Sequence, residues 1–165
     1  MRKQLSRDDK DAINASLGTI GIPEFIGKKD NAELVDENGN KTVIVNGVRA
    51  LFYYPAGKDD TAHPYPTLRL LLTRQPGQDL LPRIVVDMGA VKFVTSGADV
   101  MRPGIKAIPS GLSVGAPVVI VDEKHGKPLA VGLTLLDSAA MTAATSGKVI
   151  KNIHWVGDAI WDLGQ

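Results

Sequence analysis

The chain has 165 residues, 44% of them hydrophobic, with 19 Lys and Arg against 18 Asp and Glu, a formal net charge of +1. That length holds one large domain or two small ones, and the charge balance excludes indiscriminate polyanion binding, so any nucleic-acid site has to be a local patch. The absence of cysteine excludes disulfides and thiolate metal sites. No apolar run approaches ~18 residues, and Met1-Arg2-Lys3-Gln4 leads into charge rather than a signal segment, so a cytoplasmic protein with no membrane partner is expected.

In chain order, Ser6-Arg7-Asp8-Asp9 reads as a helix start, with Ser6 as cap and Asp9 reaching back three residues on. Ile13 and Leu17 give a thin apolar stripe, and Arg2, Lys3, Arg7 and Lys10 read as a solvated basic face. Residues 33–54 form an antiparallel meander whose turns are Asn38-Gly39 and Asn46-Gly47, a pair that suits positive φ. Lys41 stands where a calcium loop needs glycine, and no glutamate closes the loop, so calcium is rejected. Residues 65–73, rich in Leu, are a buried helix or strand. Residues 74–82, with Pro76-Gly77, read as a linker.

The stretch from Val86 to Ile105 organises the rest. Ile84-Val85-Val86 reads as a strand, Asp87 can cap a short helix, and Gly97 suits a left-handed helix end. Ala90, Val91 and Val94 face inward at helical spacing, leaving Lys92, Thr95 and Ser96 on the other side. Val100-Met101 extends, and Pro103-Gly104 turns the chain. Beyond it, 117–121 and 129–134 read as paired strands around a turn at 122–127, and 138–145 as an alanine-rich helix stopped by Gly147. Residues 153–156 and 159–163 read as two last strands, a spacing that favours a small barrel.

Three segments carry a family resemblance: Tyr65-Pro66-Thr67-Leu68-Arg69-Leu70-Leu71, the stretch just described, and Asn152-Ile153-His154-Trp155 with Asp158-Ala159-Ile160-Trp161. In order and spacing they resemble the malignant-T-cell-amplified-sequence family in its archaeal form. The resemblance implies an α+β fold, with an N-terminal α/β pre-PUA domain over 1–78. A C-terminal PUA pseudo-barrel of short β-strands with a short helix follows over 79–165. It also implies RNA binding in translation initiation or ribosome recycling, with the groove holding a structured RNA such as a tRNA acceptor end, or rRNA, on the small ribosomal subunit. A SUI1-type partner protein is implied too, and neither catalysis nor a cofactor is expected.

From composition alone, Lys92 is a solvated helix residue and Arg102 a surface ion-pair partner. The resemblance reverses that order, because PUA domains bind RNA between this helix, the strand after it and the last strand. The RNA-binding set is then Lys92, Thr95, Ser96, Gly97, Ala98, Met101, Arg102, Pro103 and Gly104. Gly97 leaves a bare backbone, and Arg102 can fork onto phosphate. Met88 and Met101 favour sugar or base contact. Trp161 is added as a stacking candidate.

Gly111-Leu112-Ser113-Val114-Gly115 matches G-x-S-x-G, but that motif needs a strand before it and a helix after it, whereas Pro117 and β-formers follow. His63, His125 and His154 are too scattered for a zinc site, and His154 reads as structural. Asp158 after Gly157 reads as a turn residue. Two other classes stay open, an accessory RNA-recruiting subunit of an RNA-modification enzyme and a protein-interaction module.

Overall fold

The computed structural model describes residues 1–57, 60–75 and 77–164. The first half builds one antiparallel sheet of five strands in sequential order: β1 (Arg2–Gln4), β2 (Ala32–Glu37), β3 (Asn40–Val45), β4 (Val48–Tyr54) and β5 (His63–Pro66). β1 was not anticipated from the sequence; its exposed polar residues carry no hydrophobic alternation. Between β1 and β2 lies α1 (Arg7–Gly18), whose start is a capping box: Ser6 Oγ accepts from the Asp9 amide and Asp9 Oδ2 accepts from the Ser6 amide. Ile13 and Leu17 are its buried residues. Both Asn-Gly turns have two positive φ values, 56° and 86° at Asn38-Gly39 and 50° and 85° at Asn46-Gly47, as a tight hairpin between twisted strands requires. The leucine-rich segment is both things expected of it, the end of β5 followed by the one-turn α2 (Leu68–Leu71), capped by Thr67.

The second half curls a six-stranded sheet. Its elements are β6 (Arg83–Val86), α3 (Val91–Val94), β7 (Val100–Met101), β8 (Ile105–Ala107), β9 (Pro117–Asp122), β10 (Pro128–Thr134), α4 (Ser138–Ala143), β11 (Lys148–Trp155) and α5 (Ala159–Leu163). The strand order is β7-β11-β10-β9-β6-β8, with β6 parallel to β9. Two expectations change here. The last strand begins at Lys148 rather than at residue 153, and residues 159–163 are helical rather than extended. Of the anticipated linker, Pro76 lies outside the described residues, and Leu81 is buried, only 2% exposed, in the core. None of the described helices is long and apolar enough to cross a membrane.

The two sheets share a core. Leu51, Phe52 and Leu68 from the first half pack with Val121, Val131, Ile153 and Ile160 from the second. At its centre His154 is fully buried, its ring centroid 4.8 Å from that of Phe52. Its Nε2 accepts from the Leu68 amide at 3.1 Å, and its Nδ1 lies 2.8 Å from Asp158 Oδ2. This pattern assigns a neutral ring with the proton on Nδ1. Asp158 also accepts from the amides of Trp155 at 3.0 Å and Trp161 at 2.8 Å. It is therefore the N-cap of α5 rather than a hairpin residue, and that cap is why 159–163 coils. Burial raises the Asp158 carboxyl, but the His154 ring and the amides of Trp161 and Trp155 outweigh it and hold the group below the ordinary carboxylate value.

The second core lies inside the curled sheet, around Ile84, Val86, Val94, Ile120, Met141 and Ile150. α3 begins from a 3-10 turn over Met88–Ala90 capped by Asp87 and closes in a Schellman motif. The Ala98 amide bonds to the Phe93 carbonyl and the Gly97 amide to that of Val94, with Gly97 at φ 93° as that motif demands. A Cβ at Gly97 would lie 2.7 Å from Trp155 Cζ2, so the bare backbone there makes room for an indole.

Gly97→Ala adds backbone strain to a clash in a packed site; together they are expected to cost about 2–4 kcal/mol in a denaturant melt. Asp158→Asn keeps one oxygen to cap α5 but sets an amide NH2 against two donors, the Trp155 amide and His154 Nδ1, with an expected loss of about 2–4 kcal/mol. Because the folded Asp158 value lies below the unfolded one, its contribution is complete at neutral pH. It is lost as pH falls from the ordinary carboxylate range through the lowered value. Melts across the acid limb are therefore expected to be less steep in pH for the variant than for the parent.

Candidate nucleic-acid interface

A groove of about 790 Å³ runs between α3, the β7 turn and β11. Its apolar walls are the sides of Phe93, 58% exposed, and Met101, 47% exposed. Between them Gly97, Ala98, Pro103 and Gly104 present mostly backbone. At one edge Lys148 and Lys151 extend from β11, their Nζ atoms 3.5 and 3.6 Å from Asp99. Asp99 is the more enclosed partner and also accepts from the Asn152 amide at 3.0 Å. One carboxylate thus aims two solvated ammonium groups and leaves the edge with a single net positive charge. Asn152 is buried between α3 and β11, its Nδ2 donating to the carbonyls of Val94 and Ala98, each at 3.0 Å.

The residues singled out in the sequence divide into two groups. Gly97, Ala98, Met101, Pro103 and Gly104 line the groove. Lys92 stands beside it, its ammonium 5.1 Å from the Phe93 ring centroid, a weak cation–π contact at the surface. The hydroxyls of Thr95 and Ser96 donate back into α3, to the carbonyls of Val91 and Lys92. Arg102 is turned out of the groove. Its Nε donates to the Met141 carbonyl at 2.7 Å, and its other nitrogens face the carbonyls of Ile105 and Thr142. These carbonyls include the unpaired ones at the end of α4, where a guanidinium is favoured. Trp161 is on α5, under the Arg69 guanidinium at 3.6 Å and packed on the first sheet's core. Neither Arg102 nor Trp161 is part of the groove lining.

Phe93, Asp99, Lys148 and Lys151 were missed. An outward aromatic in Val91-Lys92-Phe93-Val94, off the inward face, was a readable signal for the first of these. The lysines carry no such signal, because the strand that presents them begins at Lys148, five residues before the apolar run that marks it in the sequence.

The decoys resolve in physical terms. The loop holding Ser113 leads into β9, and Thr134 Oγ1 bonds to the Ser113 carbonyl at 2.7 Å; the chain makes a turn there, without the following helix of a nucleophile elbow. Among the described residues no group of three His, Asp or Glu side chains converges to hold a metal.

A family profile described as the PUA domain matches residues 82–156. An uncharacterized protein of Methanocaldococcus jannaschii is 39% identical over 161 residues, covering 96% of this chain and 94% of that protein. Translation machinery-associated protein 20 of Schizosaccharomyces pombe is 33% identical over 145 residues, 85% of this chain and 76% of that protein. The crystal structure of a PUA domain protein from Aeropyrum pernix superposes with a TM-score of 0.85 at 24% identity, over 100% of this chain and 91% of that one. The fold is thus the pre-PUA unit followed by a PUA pseudo-barrel, and the groove lies in the segment that the PUA profile matches. Together with the 33% identity to a mouse malignant T-cell-amplified sequence protein over 86% of the chain, these findings show that the chain belongs to the family of malignant T-cell-amplified sequence and translation machinery-associated 20 proteins.

Proposed function

We propose that this chain is a non-catalytic RNA-binding protein of the translation machinery, whose groove holds the unpaired end of a structured RNA such as a tRNA acceptor on the small ribosomal subunit. The observation that carries the reading is the meeting of an exposed aromatic ring, bare backbone and two aimed lysines in one groove. Apolar walls suit bases and sugars, which unpaired RNA exposes and duplex RNA hides. Two lysines suit one or two phosphates rather than a long backbone track. The printed name of the fission-yeast relative ties that protein to the translation machinery, which supports the setting. A SUI1-type protein partner, and a division into units at 1–78 and 79–165, belong to the same reading.

Titration with a short unpaired oligoribonucleotide at several salt concentrations tests it. Phe93→Ala is expected to weaken binding by about 1–3 kcal/mol, the scale of one base on an aromatic ring, with a melt within about 0.5 kcal/mol of the parent. The double change Lys148→Ala with Lys151→Ala is expected to flatten the log–log salt dependence by about 1.4, at roughly 0.7 per phosphate contact on a single strand. Unaltered affinity in both variants would remove the groove as the site.

Arg102→Ala is expected to act on the fold rather than on RNA. It leaves partly buried carbonyls without their donor, at about 1–3 kcal/mol in a melt. The affinity of the folded variant at low temperature should match the parent.

A further inference from the structure

A second depression, about 520 Å³, opens between the two sheets. Lys151 lines both it and the groove, so the two depressions meet at one lysine of β11. Its wall on the β11 side includes Trp155, which also packs over the bare backbone of Gly97 and against the second core. Its wall on the other side comes from β4. Phe52 faces His154 there, and Tyr54, two residues on, shares that face. Asn152 lies in the same lining, 4% exposed, and its Oδ1 receives no hydrogen bond. With Nδ2 fixed on two carbonyls, the amide is locked in this rotamer, and its oxygen is enclosed rather than open to the cleft.

We propose that an unpaired RNA strand leaving the groove crosses Lys151 and seats a further base in this cleft, against Trp155 and Tyr54. This rests on the groove reading above and extends it from one subsite to two. The shared cation and the aromatic walls select the occupant. A phosphate is neutralised at Lys151, and bases of any sequence have a π-face to lay on an aromatic ring. The Asp158 carboxylate in the lining is already engaged by His154, Trp155 and Trp161, so it offers no strong acceptor to compete for other ligands.

The test compares two unstructured oligoribonucleotides, of about three and about eight nucleotides, on the full chain. One extra stacked base is worth about 5- to 150-fold in affinity, so the parent is expected to bind the longer RNA that much more tightly. Two variants address the cleft alone. Tyr54→Leu keeps an apolar side chain and removes the stacking ring. Ala159→Glu sets a carboxylate at the cleft rim on the first turn of α5, where a negative charge is tolerated well. Both are expected to bring the longer RNA down to the affinity of the shorter one and to leave the shorter one unchanged. If Tyr54→Leu does not fold, Ala159→Glu decides alone. Equal affinities for the two RNAs in the parent, or a length gain that survives Ala159→Glu, would overturn the cleft while leaving the groove intact. Failure of the parent to bind either RNA would instead strike the groove reading first, and the cleft with it.

Discussion

The hydrogen-bonded chain from Asp158 through the His154 ring to the Leu68 amide fixes β11 against the first sheet, and β11 carries most of what makes the groove. On one side its lysines reach Asp99; beneath, Asn152 ties down the carbonyls that end α3; at its end Trp155 fills the space that Gly97 leaves. A buried imidazole is costly unless both nitrogens are satisfied, and here one donates to a carboxylate while the other accepts an amide from the opposite half. The same carboxylate caps α5, whose Trp161 and Leu163 carbonyls accept from Arg69 of α2 and Arg49 of β4. The relative placement of the two sheets and the placement of the groove's edge are thus set by one polar cluster inside an apolar core.

The groove's electrostatics are restrained for a nucleic-acid site. Asp99 offsets one of the two lysines that it positions, and the chain as a whole is nearly neutral. On the proposed reading, such a site attracts RNA weakly at a distance and depends on contacts made after arrival, to the ring of Phe93, the thioether of Met101 and an unshielded backbone. Weak phosphate attraction limits non-specific binding, which is largely electrostatic. Selection then rests on which RNA can present unpaired bases to an apolar groove.

The sequence was most legible where local chemistry decides structure. Ser6 with Asp9, the two Asn-Gly turns, the Asp87 cap and Gly97 each announce their conformation through side-chain hydrogen bonding or positive φ, and each takes it. It was least legible where a partner distant in sequence decides. Asp158 looks like a turn residue until His154 and the amides of Trp155 and Trp161 surround it. Nothing in the sequence around Arg102 shows that its guanidinium rests on the carbonyls at the end of α4. Lys148 and Lys151 are three apart, which puts them on opposite faces of an unbroken strand. A register shift in the pairing of β11 with β7, between Lys148 and Ile150, brings both to Asp99, as a bulge re-aims side chains. Gly132 permits the close approach of β10, since a Cβ there would meet Ile150 Cγ2 at 2.5 Å. No period-based reading of β11 could have placed both lysines at the groove.

Mapping backbone amide chemical shifts by NMR during titration with a short unpaired oligoribonucleotide locates the RNA on the surface. If it lies in the groove between α3, β7 and β11, saturable shifts concentrate at residues 88–104 and 148–151. Shifts confined to the basic face of α1, or spread evenly over the surface without saturation, would place it outside the groove.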